Sequence, residues 1–118
     1  KFLTAGDVNG DGKADLALFY DYGGGRVALF TLTAGSAGDG SLGGLTQIWY
    51  DSTGWGNGTK FVFTGSFAST GKDTFGLFQD FAGSATLATL DPDTQNNLPS
   101  PTGHWSAPYW GTGTRAVL

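Results

Sequence analysis

The sequence predicts an all-β fold made of two four-stranded units, and three observations carry that reading. The first is composition. The chain has 21 glycines, four prolines and no glutamate, while nine phenylalanines, four tyrosines and four tryptophans recur in short patterned runs. Aromatic and β-branched residues fit a pleated, half-buried surface, and strong helix formers are scarce. The second is internal repetition. Displaced by 59 positions, Gly6-Asp7-Val8 meets Gly65-Ser66-Phe67, Gly12-Lys13 meets Gly71-Lys72, Leu18-Phe19 meets Leu77-Phe78, and Asp21-Tyr22 meets Asp80-Phe81. After small gaps, Leu29-Phe30-Thr31-Leu32 meets Leu87-Ala88-Thr89-Leu90, and Trp55-Gly56-Asn57-Gly58-Thr59-Lys60 meets Trp110-Gly111-Thr112-Gly113-Thr114-Arg115. A fixed period marks a structure assembled from stacked copies of one unit. The third is punctuation: glycine and short polar clusters bound apolar runs of strand length.

The elements follow in order. Residues 1–5 form an opening strand that leads into a polar loop. Residues 16–22 and 26–33 pair as a hairpin across Gly23-Gly24-Gly25, because a tight hairpin turn needs residues that tolerate positive φ. A glycine-rich loop, 34–44, leads to a fourth strand over 45–51. The second unit repeats the order with strands at 60–64, 75–81 and 85–90, a long polar loop at 91–103, and a strand at 104–110. The two units are 1–59 and 60–118. Residues 115–118 follow the second Trp-Gly-x-Gly-Thr as 60–63 follow the first, so the second unit ends in what reads as the opening strand of a next one.

The most specific stretch is Asp7-Val8-Asn9-Gly10-Asp11-Gly12-Lys13-Ala14-Asp15. Oxygen-bearing side chains fall at loop positions 1, 3, 5 and 9, with Gly12 at position 6, which is the pattern of a calcium loop of the D-x-N-x-D-G kind. Asp7, Asn9, Asp11 and Asp15 each offer a side-chain oxygen, and Lys13 offers its carbonyl. Calcium takes about six to eight oxygens, so this loop supplies most of a shell and water the remainder. An EF-hand or dockerin loop would place a carboxylate at position 12 and then a helix; here position 12 is Leu18 and a strand follows. A loop running into a strand, with its last ligand at position 9, resembles the FG-GAP/VCBS-type repeat. The resemblance implies blades of a β-propeller, each of four strands, with a structural calcium in the loop. It departs from the family's pattern in lacking a Gly-Ala-Pro segment. The second copy has Ser66, Ala68, Thr70 and Thr74 where the first has Asp7, Asn9, Asp11 and Asp15, which predicts a degenerate loop and one calcium per chain.

Two blades leave apolar faces uncovered, and propellers commonly close with about four to eight. Closure is therefore expected either through homo-oligomerisation, with six blades as a trimer favoured, or because the chain is part of a longer propeller.

The formal net charge of −4, with six scattered basic residues, makes the chain a poor phosphate binder and argues against nucleic acid. No stretch is long and apolar enough to span a bilayer. A loop of this kind fills where calcium is abundant, so the expected localisation is secreted, extracellular. Catalysis has little support: there is no cysteine and no glutamate, and His104 is the only histidine. Asp21 and Asp80 stand at equivalent strand ends, and Asp91 and Asp93 flank Pro92 in what reads as a solvated turn. The aromatic residues are the better functional candidates. Trp49, Tyr50 and Trp55 lie late in the first unit, and His104, Trp105, Tyr109 and Trp110 late in the second, among short polar side chains. Aromatic faces stack on the C–H faces of sugars while amides, hydroxyls and carboxylates take the hydroxyl groups. Core packing is the competing reading for each, and most strongly for the repeated Trp55 and Trp110. The expected function is thus a secreted, calcium-stabilised, non-catalytic β-propeller that binds a glycan in the manner of a lectin. The alternatives are an adhesion propeller with a protein partner, or a structural part of a larger secreted, enzyme-associated propeller.

Overall fold

The computed structural model describes residues 1–67, 71–91 and 102–108. The described residues form two four-stranded antiparallel sheets, each a meander. The first holds β1 (Phe2–Gly6), β2 (Asp15–Gly23), β3 (Arg26–Ala34) and β4 (Leu42–Asp51). A four-residue helical turn, α1 (Trp55–Gly58), leads to the second, with β5 (Thr59–Gly65), β6 (Thr74–Phe81), β7 (Ser84–Leu90) and β8 (Thr102–Ala107). Residues 109–118, including the expected opening strand of a third unit, lie outside the described residues.

The repeat is visible in register. In the first sheet Phe2 faces Phe19, Leu3 faces Leu18, Thr4 faces Ala17 and Ala5 faces Leu16. In the second, Phe61 faces Phe78, Val62 faces Leu77, Phe63 faces Gly76 and Thr64 faces Phe75. Each pair of the second sheet is its counterpart in the first displaced by 59 positions. Further along, Leu29 sits opposite Trp49 and Leu87 opposite Trp105, and each pair is followed at once by a bulge.

Both hairpins turn through two residues of positive φ. Gly24 and Gly25 do so in the first, at φ 64° and 84°; Ala82 and Gly83 do so in the second, at 50° and 90°. This is the turn whose twist matches the flanking strands. Asp21 and Asp80 stabilise the two turns from equivalent places, Asp21 Oδ1 accepting from the Gly23 amide at 2.6 Å and Asp80 Oδ1 from the Gly83 amide at 2.7 Å.

Successive side chains of a strand point to opposite faces, and one face of each sheet builds the core. Ala17, Phe19, Val27, Leu29 and Trp49 from the first sheet pack on Phe75, Leu77 and Leu90 from the second, with Phe2, Trp55 and Val62 around them. Burying a large apolar side chain contributes roughly 1.5–3 kcal/mol, so Phe19, Trp49 and Phe75, each at most 2 % exposed, contribute most to holding the sheets together. The α1 turn wedges into this junction. Asp51 Oδ2 accepts from the amides of Thr53, Gly54 and Trp55, and the Gly56 amide donates to the Gly25 carbonyl at 3.0 Å. A Cβ on Gly58 would lie 2.6 Å from the Asp80 carbonyl oxygen, so only glycine lets the turn reach the second sheet.

Candidate metal centre and the adjoining cleft

The loop between β1 and β2 is closed by its own carboxylates. Asp7 Oδ1 accepts from the amides of Gly10 and Asp11, at 2.7 and 3.0 Å, and Asp7 Oδ2 from that of Gly12 at 2.8 Å. Asn9 Oδ1 accepts from the Asp11 amide, and Asp11 Oδ1 from the Lys13 amide. Gly10 and Gly12 take φ of 80° and 82° to make the bend. An ionised carboxylate has about four lone-pair sites, so Asp7 and Asp11 retain acceptor capacity toward a cation. The donor set is all hard oxygen, on an exposed loop, and its chemistry fits calcium.

Asp15 does something else as well. It is fully buried, with Oδ2 accepting from the Val8 amide at 3.1 Å and Oδ1 from the Ala34 amide at 2.7 Å. It therefore brackets the start of the loop to the end of β3. Among the described residues no group of three or more His, Cys, Asp or Glu side chains converges so as to hold a metal. Asp7, Asn9 and Asp11 share one loop, while Asp15 faces the scaffold.

The loop is also anchored to the second sheet. The Asp7 amide donates to Asp73 Oδ2 at 2.9 Å, and the Asp73 amide donates back to the Asp7 carbonyl at 2.6 Å. Thr64 Oγ1 bonds the Ala5 carbonyl. A Cβ on Gly6 would fall 2.8 Å from Asp73 Oδ2 and from Thr64, so glycine there permits the approach. The degenerate loop of the second unit thus holds the intact loop of the first. Thr74 stands where Asp15 stands and is likewise buried; Ala68 and Thr70 lie outside the described residues.

Beside the loop a cleft of about 260 Å³ opens between the two sheets. Val8 and Asn9 come to it from the loop, Thr31, Thr33, Thr46 and Ile48 from β3 and β4, and Lys72, Asp73, Phe75 and Asp91 from the second unit. Lys72 Nζ lies 3.6 Å from Asp91 Oδ1. Asp91 therefore lines a cleft and faces a lysine, which corrects its reading as part of a solvated turn; Asp93 lies outside the described residues. Sequence reasoning overlooked this cleft. Its one local signal was period two: Thr31 and Thr33 alternate on the same face as Leu29.

Among the described residues the aromatic candidates do not come together in one site. Trp49 is a core residue, 2 % exposed, with its ring 6.4 Å from Phe19, and it offers no face to a sugar. Its reading as a ligand contact is corrected: it stands opposite Leu29, on the face where the two sheets meet. Trp55 packs against the same core from α1. Tyr50 is exposed on the opposite face of the first sheet, 6.3 Å from Tyr22, which in turn edges Tyr20 at 4.9 Å. His104 Nε2 bonds Thr89 Oγ1 at 2.6 Å, and Trp105 is 40 % exposed on the outer face of the second sheet. Tyr109 and Trp110 lie outside the described residues.

Comparison with known families agrees with the loop. Residues 2–30 match the family model described as the FG-GAP repeat; that stretch covers β1, the acidic loop, β2 and the first half of β3. Neither the curated proteins nor the solved structures give a significant match. FG-GAP repeats form β-propeller blades, commonly bind calcium and are typical of extracellular proteins. No helix among the described residues is long and apolar enough to cross a membrane. Residues 2–30 thus match an FG-GAP repeat, and the two four-stranded antiparallel sheets of the described residues are consistent with propeller blades.

Proposed function

We propose that the chain is a calcium-stabilised, non-catalytic propeller module of a secreted protein, and that it binds a sugar in the cleft between its blades. The cleft beside the loop carries this reading. It gathers hydroxyls from Thr31, Thr33 and Thr46, an amide from Asn9, an ammonium from Lys72 and carboxylates from Asp73 and Asp91, over Val8, Ile48 and Phe75. Donors and acceptors of both kinds on an apolar floor suit a ligand that is polyhydroxylated on its edges and apolar on its faces. Drug-sized ligands occupy about 300–1,000 Å³, so about 260 Å³ suits one monosaccharide unit. Calcium would be held by Asp7, Asn9, Asp11, the Lys13 carbonyl and Asp15. It would stiffen the loop that carries Val8 and Asn9 into the cleft.

A glycan array followed by calorimetric titration tests the ligand. The expected result is saturable binding of a monosaccharide or terminal sugar, weakened about tenfold, or roughly 1.4 kcal/mol, by Thr33→Val and by Asp91→Asn. Absence of binding across the array, or binding indifferent to both substitutions, contradicts the reading.

A further inference from the structure

Two asparagines of this chain precede glycine, Asn9-Gly10 in the loop between β1 and β2 and Asn57-Gly58 in α1. The dipeptide has its own chemistry. Glycine has no Cβ to shield its amide nitrogen, so that nitrogen can attack the side-chain carbonyl carbon of the asparagine before it. The fold treats the two copies differently.

In the loop, Asn9 and Gly10 are both exposed. Asn9 Oδ1 accepts from the Asp11 amide at 3.0 Å, and Nδ2 lies 3.4 Å from Asp11 Oδ2. This is an Asx turn, which folds the side chain back along the peptide that joins Asn9 to Gly10. The Asp11 N–H also polarises the Asn9 side-chain carbonyl, as a donor aimed at an oxygen that gains charge does. The Gly10 N–H donates to Asp7 Oδ1 at 2.7 Å, at a surface where water can replace that acceptor. In α1 the same dipeptide is braced. The Asn57 amide donates to the Gly54 carbonyl and the Gly56 amide to the Gly25 carbonyl, both at 3.0 Å, and Thr59 Oγ1 donates to the Trp55 carbonyl at 2.6 Å. The Asn57 side chain lies against Gly25, where a Cβ would come within 2.9 Å of its Nδ2, and Gly58 is buried against the Asp80 carbonyl. Closing a ring between Asn57 and Gly58 requires their peptide to rotate, and there is no space for that until α1 opens.

We propose that Asn9 is a site of spontaneous deamidation, and that the fold directs this reaction to Asn9 and away from Asn57. The Gly10 nitrogen bonds to Asn9 Cγ, the Cγ–Nδ2 bond breaks, and ammonia leaves carrying the proton that the Gly10 amide gives up. Water then opens the succinimide at either carbonyl, giving aspartate, or isoaspartate with the main chain rerouted through the side chain. Either product replaces the only side-chain donor among Asp7, Asn9 and Asp11 with a carboxylate, so the contact between positions 9 and 11 turns from attraction to repulsion. The formal net charge of −4 becomes more negative by one carboxylate, and the loop closes on itself less firmly. None of this depends on the ligand of the cleft or on a cation in the loop.

Peptide mapping by mass spectrometry tests it, on the folded chain held at mildly alkaline pH in chelator and on a parallel sample in urea. In the folded chain Asn9 is expected to convert at least about tenfold faster than Asn57, because Asn57 reacts only from the locally opened turn. In urea the two are expected to convert at similar rates, since each is followed by glycine. Isomerisation at Asp11-Gly12 or Asp39-Gly40 leaves the mass unchanged and does not enter this readout. Asn57 converting as fast as Asn9 in the folded chain overturns the proposal. So does a difference of the same size in urea, which would assign it to the neighbouring sequence. An Asn9 that converts in urea but persists in the folded chain overturns it as well, because the loop's hydrogen bonds would then protect it. Asn9→Asp reads the consequence separately: it is expected to melt below the wild type in chelator, and an equal or higher melting temperature overturns the weakened closure.

Discussion

The two blades share the register of their first two strands over four successive pairs but differ in the loop between those strands. In the first blade that loop carries Asp7, Asn9 and Asp11 and closes on itself through their side chains. In the second, Asp73 turns outward and bonds the backbone of Asp7. Equivalent buried slots hold a carboxylate, Asp15, and a hydroxyl, Thr74. A blade therefore keeps its first two strands in register without the Asp7, Asn9 and Asp11 set. Asp73 of the second loop clamps the first.

The buried slot gives the largest expected difference between the blades. Asp15→Ala would leave the amides of Val8 and Ala34 without their charged acceptor, and hydrogen bonds to charged groups contribute about 1.5–3 kcal/mol each. A loss of about 3 kcal/mol or more is expected, measured by urea unfolding in chelator so that no metal contributes. Thr74→Ala should cost about 1 kcal/mol. Equal losses at the two positions would mean that Asp15 does not bracket the loop.

The hairpin turns give the smallest difference. Lys60 lies 2.8 Å from Asp80, whereas Lys1, its equivalent, sits over the Tyr20 ring at 5.1 Å. The hydrogen bond from the Lys60 ammonium holds the Asp80 carboxyl below its ordinary value, with desolvation opposing and the Gly83 amide assisting. A folded pKa below the unfolded one stabilises the fold above the ordinary carboxylate value, about 3.9. That contribution is lost as pH falls through the depressed folded value. Lys60→Gln should raise the Asp80 carboxyl's midpoint in an NMR titration. An unchanged midpoint would remove the lysine as the cause.

Much of the fold was legible in the sequence because it is written twice. The repeat marked the two sets of four strands and the hairpins, and Leu18 at loop position 12, followed by a strand, argued against a helical calcium motif. Four things were not legible. Trp-Gly-Asn-Gly reads as loop, since glycine is a poor helix former; its helical turn forms because Asp51 caps it and the Gly25 carbonyl receives it. Trp55 aligns with Trp110 by its neighbours. The register also equates Trp49 with Trp105, an equivalence hidden by loops of unequal length before β4 and β8. Spacing marked Asp15 as a ligand but could not reveal its bond to Ala34, 19 residues away. The cleft depends on how two blades pack, which no local pattern encodes.

Whether the loop between β1 and β2 holds calcium is read from the melting temperature in calcium and in chelator. Asp11→Ala is the informative variant, because Asp11 is exposed and its side chain bonds Asn9 and the Lys13 amide, both within the loop. A ligand that binds only the folded state stabilises it by about 2.7 kcal/mol at a hundredfold excess over Kd. The wild type is therefore expected to melt several degrees higher in calcium than in chelator, and Asp11→Ala at the same temperature in both. A wild type indifferent to calcium, or an Asp11→Ala variant that responds as the wild type does, would mean that this loop holds no calcium.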